Sequence, residues 1–264
     1  QVWDAADQVS VPTAPASWEM GPLASTAWAG FWISAGSTEP AHPAAFYEAD
    51  PAPLFRRSFQ IDRPVKSARL HATGLGYCEM RVNGQPVSDN ALDPAWTSFA
   101  DRVYYTSEDV TDKLTAGENV LGAMLGNGWY NPLPLRMWGR INIRESLAVG
   151  RPRLMAQLVI EYEDGSTQSL ATDQDWRVAP GPIVRNSVYL GENYDARVEQ
   201  AGWDAPGFDD GAWRPASRAA ATDSDPGELC ALPIPPIRVT ATLKPVSLSE
   251  PEPGVFVFDL GQNI

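Results

Sequence analysis

Tyr77-Cys78-Glu79-Met80-Arg81-Val82-Asn83-Gly84 decides the fold. A strand-like run enters Asn-Gly, the strongest short hairpin signal in the chain, because both residues tolerate the positive φ that a type I′ turn requires. Similar punctuation recurs on either side. Residues 54–61 (LFRRSFQI) alternate imperfectly, and residues 65–73 (VKSARLHAT) offer Val65, Ala68, Leu70 and Ala72 to one face after a slip. Residues 103–105 and 119–125 (NVLGAML) follow, and residues 153–162 (RLMAQLVIEY) run through Glu163-Asp164-Gly165-Ser166 into 167–171 as a second hairpin. Shorter candidates lie at 175–178 and 184–190, a clean strand at 237–249, and a last apolar one at 255–258. The best helix signal is 107–114, with Ser107 as N-cap and Asp109 in the first turn. Strands spaced about 8–12 residues apart, without helices between them, predict an all-β, antiparallel β-sandwich.

Composition agrees. Among 264 residues, 24 prolines and 21 glycines are spread along the chain, as many short strands joined by turns require, and 44% apolar residues can fill a core. The net charge of −13 argues against a nucleic-acid partner, whose phosphates need Lys and Arg. No stretch is long and apolar enough to predict a membrane span. Cys78 and Cys230, far apart and without framework spacing, read as two small buried hydrophobes rather than a disulfide, and neither pairs with His42 or His71 at zinc spacing. The chain opens on a strand-like Gln1-Val2-Trp3-Asp4 and stops just after an apolar strand, so it reads as part of a longer protein.

Catalytic motifs are scarce. There is no Gly-x-Ser-x-Gly elbow and no phosphate-cradling glycine loop, and none of the 33 carboxylates stands in a context that singles it out. Binding chemistry is richer. Gly126-Asn127-Gly128-Trp129-Tyr130 opens a long loop through Arg151 that carries Asn131, Arg136, Trp138, Arg140, Asn142, Arg144 and Glu145. Sugars take planar aromatics against their C–H faces, and amide and guanidinium groups on their hydroxyls. The candidate carbohydrate-binding residues are therefore Asn127, Trp129, Tyr130, Arg136, Trp138, Arg140 and Asn142. The bland alternative makes Trp129 and Tyr130 core plugs and turns the arginines toward a neighbouring domain. Asp89-Asn90 with Leu92-Asp93-Pro94-Ala95-Trp96 forms a second polar-aromatic loop, and residues 191–197 form a third. In the third, Glu192, Asn193 and Asp195 are oxygen donors of the kind calcium takes, although they lack the spaced ladder of an EF-hand. Pairing of Asp195 or Glu192 with Arg197 competes with that reading. Residues 204–213 (DAPGFDDGAW), flanked by Trp203 and Trp213, look like a structural hook clipping a loop onto the sandwich, and Trp18, Trp28 and Trp32 look like anchors.

Taken together, Trp18-Glu19-Met20-Gly21, Phe31-Trp32-Ile33, Phe55-Arg56-Arg57-Ser58-Phe59, Val82-Asn83-Gly84, Leu92-Asp93-Pro94-Ala95-Trp96-Thr97, Leu125-Gly126-Asn127-Gly128-Trp129-Tyr130, Gly191-Glu192-Asn193-Tyr194-Asp195-Ala196-Arg197 and Phe258-Asp259-Leu260-Gly261-Gln262-Asn263 resemble, in order and spacing, the N-terminal half of bacterial α-L-rhamnosidases of glycoside hydrolase family 78. The resemblance implies that residues 1–10 end a fibronectin-like domain, 11–39 form an irregular linker, 40–220 form the N-terminal β-sandwich (a jelly roll of galactose-binding-like type), and 235–264 hold the first strands of a second, concanavalin-like β domain. It implies a non-catalytic accessory region whose partners are a rhamnose-containing carbohydrate and the catalytic (α/α)6 barrel of the same parent chain. The parent would hydrolyse terminal α-L-rhamnose by inversion. It requires no cofactor here, although some relatives bind rhamnose with calcium in such a sandwich. Where the family often has Asp after Leu-Gly, this chain has Asn127. A structural spacer and a stand-alone sugar-binding module are the alternatives, and a secreted or periplasmic location is the expectation.

Overall fold

The computed structural model describes residues 2–13, 21–22, 27–137, 139–219 and 226–262. Its main strands are β1 (Pro53–Ile61), β2 (Val65–Leu75), β3 (Tyr77–Val82), β4 (Arg102–Asp109), β5 (Gly117–Gly126), β6 (Arg153–Tyr162), β7 (Thr167–Ala171) and β8 (Arg177–Pro180). One sheet is built on β6–β2–β4. On the far side of β6 both β7 and the short strand Ile33–Ser34 pair with it, and Glu228–Ala231 joins β4 in parallel. The other sheet runs β8–β1–β5–β3, with Arg214–Pro215 and Gln85–Pro86 at its edges. The expected all-β sandwich is what the chain forms.

Alternation along each strand supplies the core. Ala68, Leu70 and Ala72 of β2 and Leu154, Ala156, Leu158 and Ile160 of β6 face Phe55 and Phe59 of β1, Met80 and Val82 of β3, and Leu121, Ala123 and Leu125 of β5. All are buried, and each of the larger side chains contributes about 1.5–3 kcal/mol of transfer free energy. Trp176 closes one end, buried with its indole N–H donating to the Ala171 carbonyl at 3.0 Å.

Turn chemistry follows the sequence closely. Asn83 (φ +50°) and Gly84 (φ +81°) make the expected hairpin. Asn83 also clamps the turn to β5: its amide donates to Asn119 Oδ1 (2.8 Å), and its Oδ1 accepts the Val120 N–H (2.8 Å). Between β6 and β7, Gly165 takes φ +80° while Asp164 Oδ1 accepts the Ser166 N–H at 2.8 Å. Gly76 does something the pattern did not reveal. It is the single residue by which the chain leaves one sheet (β2) for the other (β3), at φ +98°, and a Cβ there would overlap the Gly126 carbonyl oxygen.

The hook is real. Residues 199–215 cover the outer face of the second sheet, where Leu54, Ala179 and Trp213 are buried together with Met124, Trp203 and Phe208 packed on them. Its anchor is Arg56, 1% exposed, whose Nε donates to Asp210 (2.9 Å), Nη1 to the Trp203 and Ala205 carbonyls (2.9 Å each) and Nη2 to the Phe208 carbonyl (3.3 Å). Arg81 pairs with Asp204 of the same loop. Trp28 is buried at 8% exposure and Trp32 packs beside it, whereas Trp18 lies outside the described residues.

Several expectations fail for identifiable reasons. Ser107 sits in β4, not at a helix N-cap, because β2 pairs with that stretch and the Ser107 hydroxyl bonds His71 Nδ1 at 2.7 Å. The helix shrinks to a turn of 3₁₀ at Thr111–Lys113, led by Asp109, whose Oδ1 accepts the Thr111 N–H at 3.0 Å. The strand-like opening does not run on as one strand: among the described residues Trp3 bridges Val9 across a tight turn. The clean strand over 237–249 survives only at its ends, Ile237–Arg238 and Ser247–Glu252. The last apolar strand, Val255–Asp259, pairs with Ser247–Glu252, and both strands are exposed throughout. Cys78 and Cys230 are free. Among the described residues no helix is long and apolar enough to cross a membrane.

Candidate functional site

Three loops that look separate in sequence meet at one cleft. It has a volume of about 610 Å³ and is walled by residues of 86–94, 124–129 and 183–192. Ala72, Met80, Val87, Met124 and Val188 give it apolar walls, and Glu79, Asn90, Asp93, Asn186 and Glu192 bring hydrogen-bonding groups to it. The Gly76 corner places these walls, since the backbone there lies directly against Gly126 and Asn127.

The aromatic wall comes from Trp129. Its ring stacks on Trp96 (centroids 5.0 Å apart, planes at 26°) and meets Tyr189 edge-on at 5.5 Å and 89°. Trp96 is 51% exposed and Tyr189 43%, so a half-open aromatic surface, contributed by three loops, stands beside the cleft. Stacking holds these rings in place before any ligand arrives.

The remaining loop candidates have other positions. Asn127 is buried: its backbone N–H donates to Asn186 Oδ1 (2.7 Å), its side-chain amide to the Asn186 carbonyl (3.0 Å), and its Oδ1 accepts from Asn131 (2.7 Å). It ties the loop to the strand Ile183–Ser187. Tyr130 is 1% exposed and packs edge-on against Phe99 at 5.4 Å. Arg136 and Arg140 are exposed on a small hairpin in which Arg136–Met137 pairs with Ile141–Asn142, and they do not line the cleft. Asn142 caps the short helix Ile143–Ser146, accepting the Arg144 N–H at 3.1 Å. Trp138 lies outside the described residues. Arg144, buried enough that its guanidinium is pushed down from the usual range, bonds Asn131 Oδ1 (2.7 Å) and Glu39 and covers the Phe46 ring at 4.3 Å. Of the six candidates among the described residues, Trp129 is the one that lines the cleft; Asn90 and Asp93 line it as well, and Trp96 and Tyr189 pack on the Trp129 ring beside it.

The three candidate metal ligands do not assemble a cage. Glu192 and Asn193 are successive residues of the strand Gly191–Tyr194 and therefore point to opposite faces. Asp195 spends its carboxylate on Arg197, accepting from Nε (2.8 Å) and Nη2 (2.6 Å), which holds it below the usual carboxylate range. Among the described residues no three His, Cys, Asp or Glu side chains converge as a metal site.

A second polar cluster underlies the rim. The Asn90 amide donates to Asp93 Oδ2 (2.8 Å) and Glu108 Oε1 (3.3 Å). Burial raises both carboxyls, and Glu108 is raised further by Asp93.

The family model for the α-L-rhamnosidase N-terminal domain matches residues 63–241. The chain belongs to this family. An α-L-rhamnosidase of Streptomyces avermitilis is 42% identical over 217 residues, covering 82% of this chain and 20% of the relative. One from Formosa agariphila is 31% identical over the whole chain and 29% of its own length. The solved α-L-rhamnosidase of Dictyoglumus thermophilum superimposes with a TM-score of 0.81 at 37% identity, over 99% of this chain and 28% of that one. The Streptomyces avermitilis enzyme, solved with L-rhamnose, gives 0.74 at 41% identity. This rhamnosidase N-terminal span thus corresponds to between 20% and 29% of the length of these relatives.

Proposed function

We propose that this span is a non-catalytic accessory region of an α-L-rhamnosidase and that it recognises rhamnose-containing carbohydrate in the cleft. The observation that carries the reading is Trp129, fixed between Trp96 and Tyr189 at the wall of a 610 Å³ cleft. Rhamnose is a 6-deoxy sugar, with a methyl group and C–H faces as well as hydroxyls. Met80, Val87, Met124 and Val188 suit the former, and Asn90, Asp93, Asn186 and Glu192 suit the latter. The parent enzyme hydrolyses terminal α-L-rhamnose in a catalytic (α/α)6 barrel elsewhere in its chain.

Calorimetric titration with L-rhamnose, with and without calcium, tests this. Wild type is expected to bind, and Trp129→Ala to weaken binding about tenfold, the upper value for one aromatic contact. Calcium is expected to change neither result, given the positions of Glu192, Asn193 and Asp195. Absence of heat in both conditions, or an unchanged affinity in Trp129→Ala, removes the cleft as a sugar site. Hydrolysis of an aryl α-L-rhamnoside by the span itself would contradict its non-catalytic role.

A supporting role toward the rest of the parent chain is the second reading. The exposed apolar strand Val255–Asp259, with Phe256 57% and Phe258 60% exposed, favours it, since such a surface is normally covered by another element.

A further inference from the structure

We propose that Arg238 is a positioning residue for the cleft, holding its rim in shape from the segment that follows the sandwich; this builds on sugar recognition at the same site. Ile237–Arg238 pairs antiparallel with Asn90–Ala91, and Asn90, Ala91, Leu92 and Asp93 all line the cleft. Arg238 Nε donates to Asp89 Oδ1 at 2.8 Å and to Asn90 Oδ1 at 3.3 Å. The second contact sets the direction of the Asn90 amide. With its oxygen turned to the guanidinium, its NH₂ faces Asp93 and Glu108, and a flipped amide would set an acceptor against two carboxylates. The rim therefore depends on a residue 148 positions from Asn90 in sequence, in the segment leading to the exposed hairpin.

The charges around this point make the dependence measurable. Asp93 and Glu108 are half-buried; burial raises both, Asp93 and Asp89 add to the rise at Glu108, and Asn90 and Arg238 pull both down. From β3, Cys78 and Glu79 both line the cleft, with the Cys78 thiol kept protonated by burial, and Glu192 lines it from the hairpin of residues 183–194. Because the folded-state values of Asp93 and Glu108 lie above their unfolded ones, their ionised forms cost stability at neutral pH. That cost disappears as pH falls through the raised midpoints. The offset from Arg238 has the same window, present at neutral pH and absent once both acids are protonated.

The test uses the full chain with Arg238→Gln and Arg238→Lys. Carboxyl NMR titration of the ligand-free protein is expected to move the Asp93 and Glu108 midpoints upward in Arg238→Gln, with partial return in Arg238→Lys, which restores charge without the guanidinium geometry. The urea midpoint is expected to fall at about pH 7 and to match wild type at about pH 3. L-Rhamnose affinity is expected to weaken about threefold at neutral pH, the scale of a half-exposed ion pair. In a Glu108→Gln background the neutral-pH loss on Arg238→Gln is expected to shrink, a coupling that independent sites do not give. Unmoved carboxyl midpoints, or strictly additive substitutions, overturn the proposal. If wild type itself fails to bind rhamnose, sugar recognition falls, and the ligand-free titration still decides whether Arg238 governs the rim.

Discussion

Arg56→Met is expected to lower the unfolding free energy by about 3 kcal/mol, the cost of taking away a buried guanidinium that serves the partly exposed Asp210 carboxylate and three backbone carbonyls. Methionine replaces the aliphatic stem, so little cavity forms. What it leaves behind is the Asp210 carboxylate and the carbonyls of Trp203, Ala205 and Phe208, all of which now accept from one guanidinium. Lysine does not rescue the site, because a single ammonium cannot serve acceptors spread along a loop from 203 to 210. Urea unfolding followed by tryptophan fluorescence checks the result, since Trp203 and Trp213 stack with centroids 6.3 Å apart beneath that loop and become solvated if it detaches. A midpoint equal to wild type would show that the loop is held by its tryptophans alone.

Gly76→Ala is the second large effect. The left-handed backbone at φ +98° costs an L-residue about 1–2 kcal/mol, and the new methyl also meets the Gly126 carbonyl, so the total is expected to reach about 3 kcal/mol. The consequence reaches the site. Relief of the overlap moves Gly126-Asn127-Gly128 and with it Trp129, so the near-UV circular dichroism of the Trp96–Trp129–Tyr189 cluster is expected to change together with the melting temperature. Gly84→Ala is the control: its φ is +81°, but the nearest atom to a new Cβ is 3.7 Å away, so it carries the backbone cost alone. Equal losses in the two variants would refute the corner argument.

Neither the anchoring role of Arg56 nor the corner role of Gly76 is legible in the sequence, and the reason is the same for both. Arg56 lies in an imperfectly alternating strand, and its partners sit about 150 residues later. Gly76 looks like any turn glycine until β2 and β3 are seen to belong to different sheets. The site divides along similar lines. Trp129 was legible because a polar-aromatic loop after an apolar strand is a binding signature. Asn127 and Tyr130 lie in the same motif but are buried, and adjacency in a loop cannot separate a ring that faces a cleft from one that faces the core. Tyr189 was hidden inside a stretch read as strand. Ser107 misled because a capping residue and a strand residue bonded to His71 look alike until β2 pairs with it.

What the sequence determined by itself was everything set by local chemistry: the Asn83-Gly84 and Asp164-Gly165 turns, the alternation that builds two apolar faces, the all-β class, the ordered motifs of the rhamnosidase N-terminal domain and the hook around Trp203 and Trp213. These depend on steric preferences and side-chain periods that act over a few residues. Tertiary structure alone decided which loops share a cleft, which aromatic rings remain open, and which charges meet across distant segments, as Arg56 meets Asp210 and Arg238 meets Asn90. Burial and low-dielectric pairing arise between elements, and no local pattern records them.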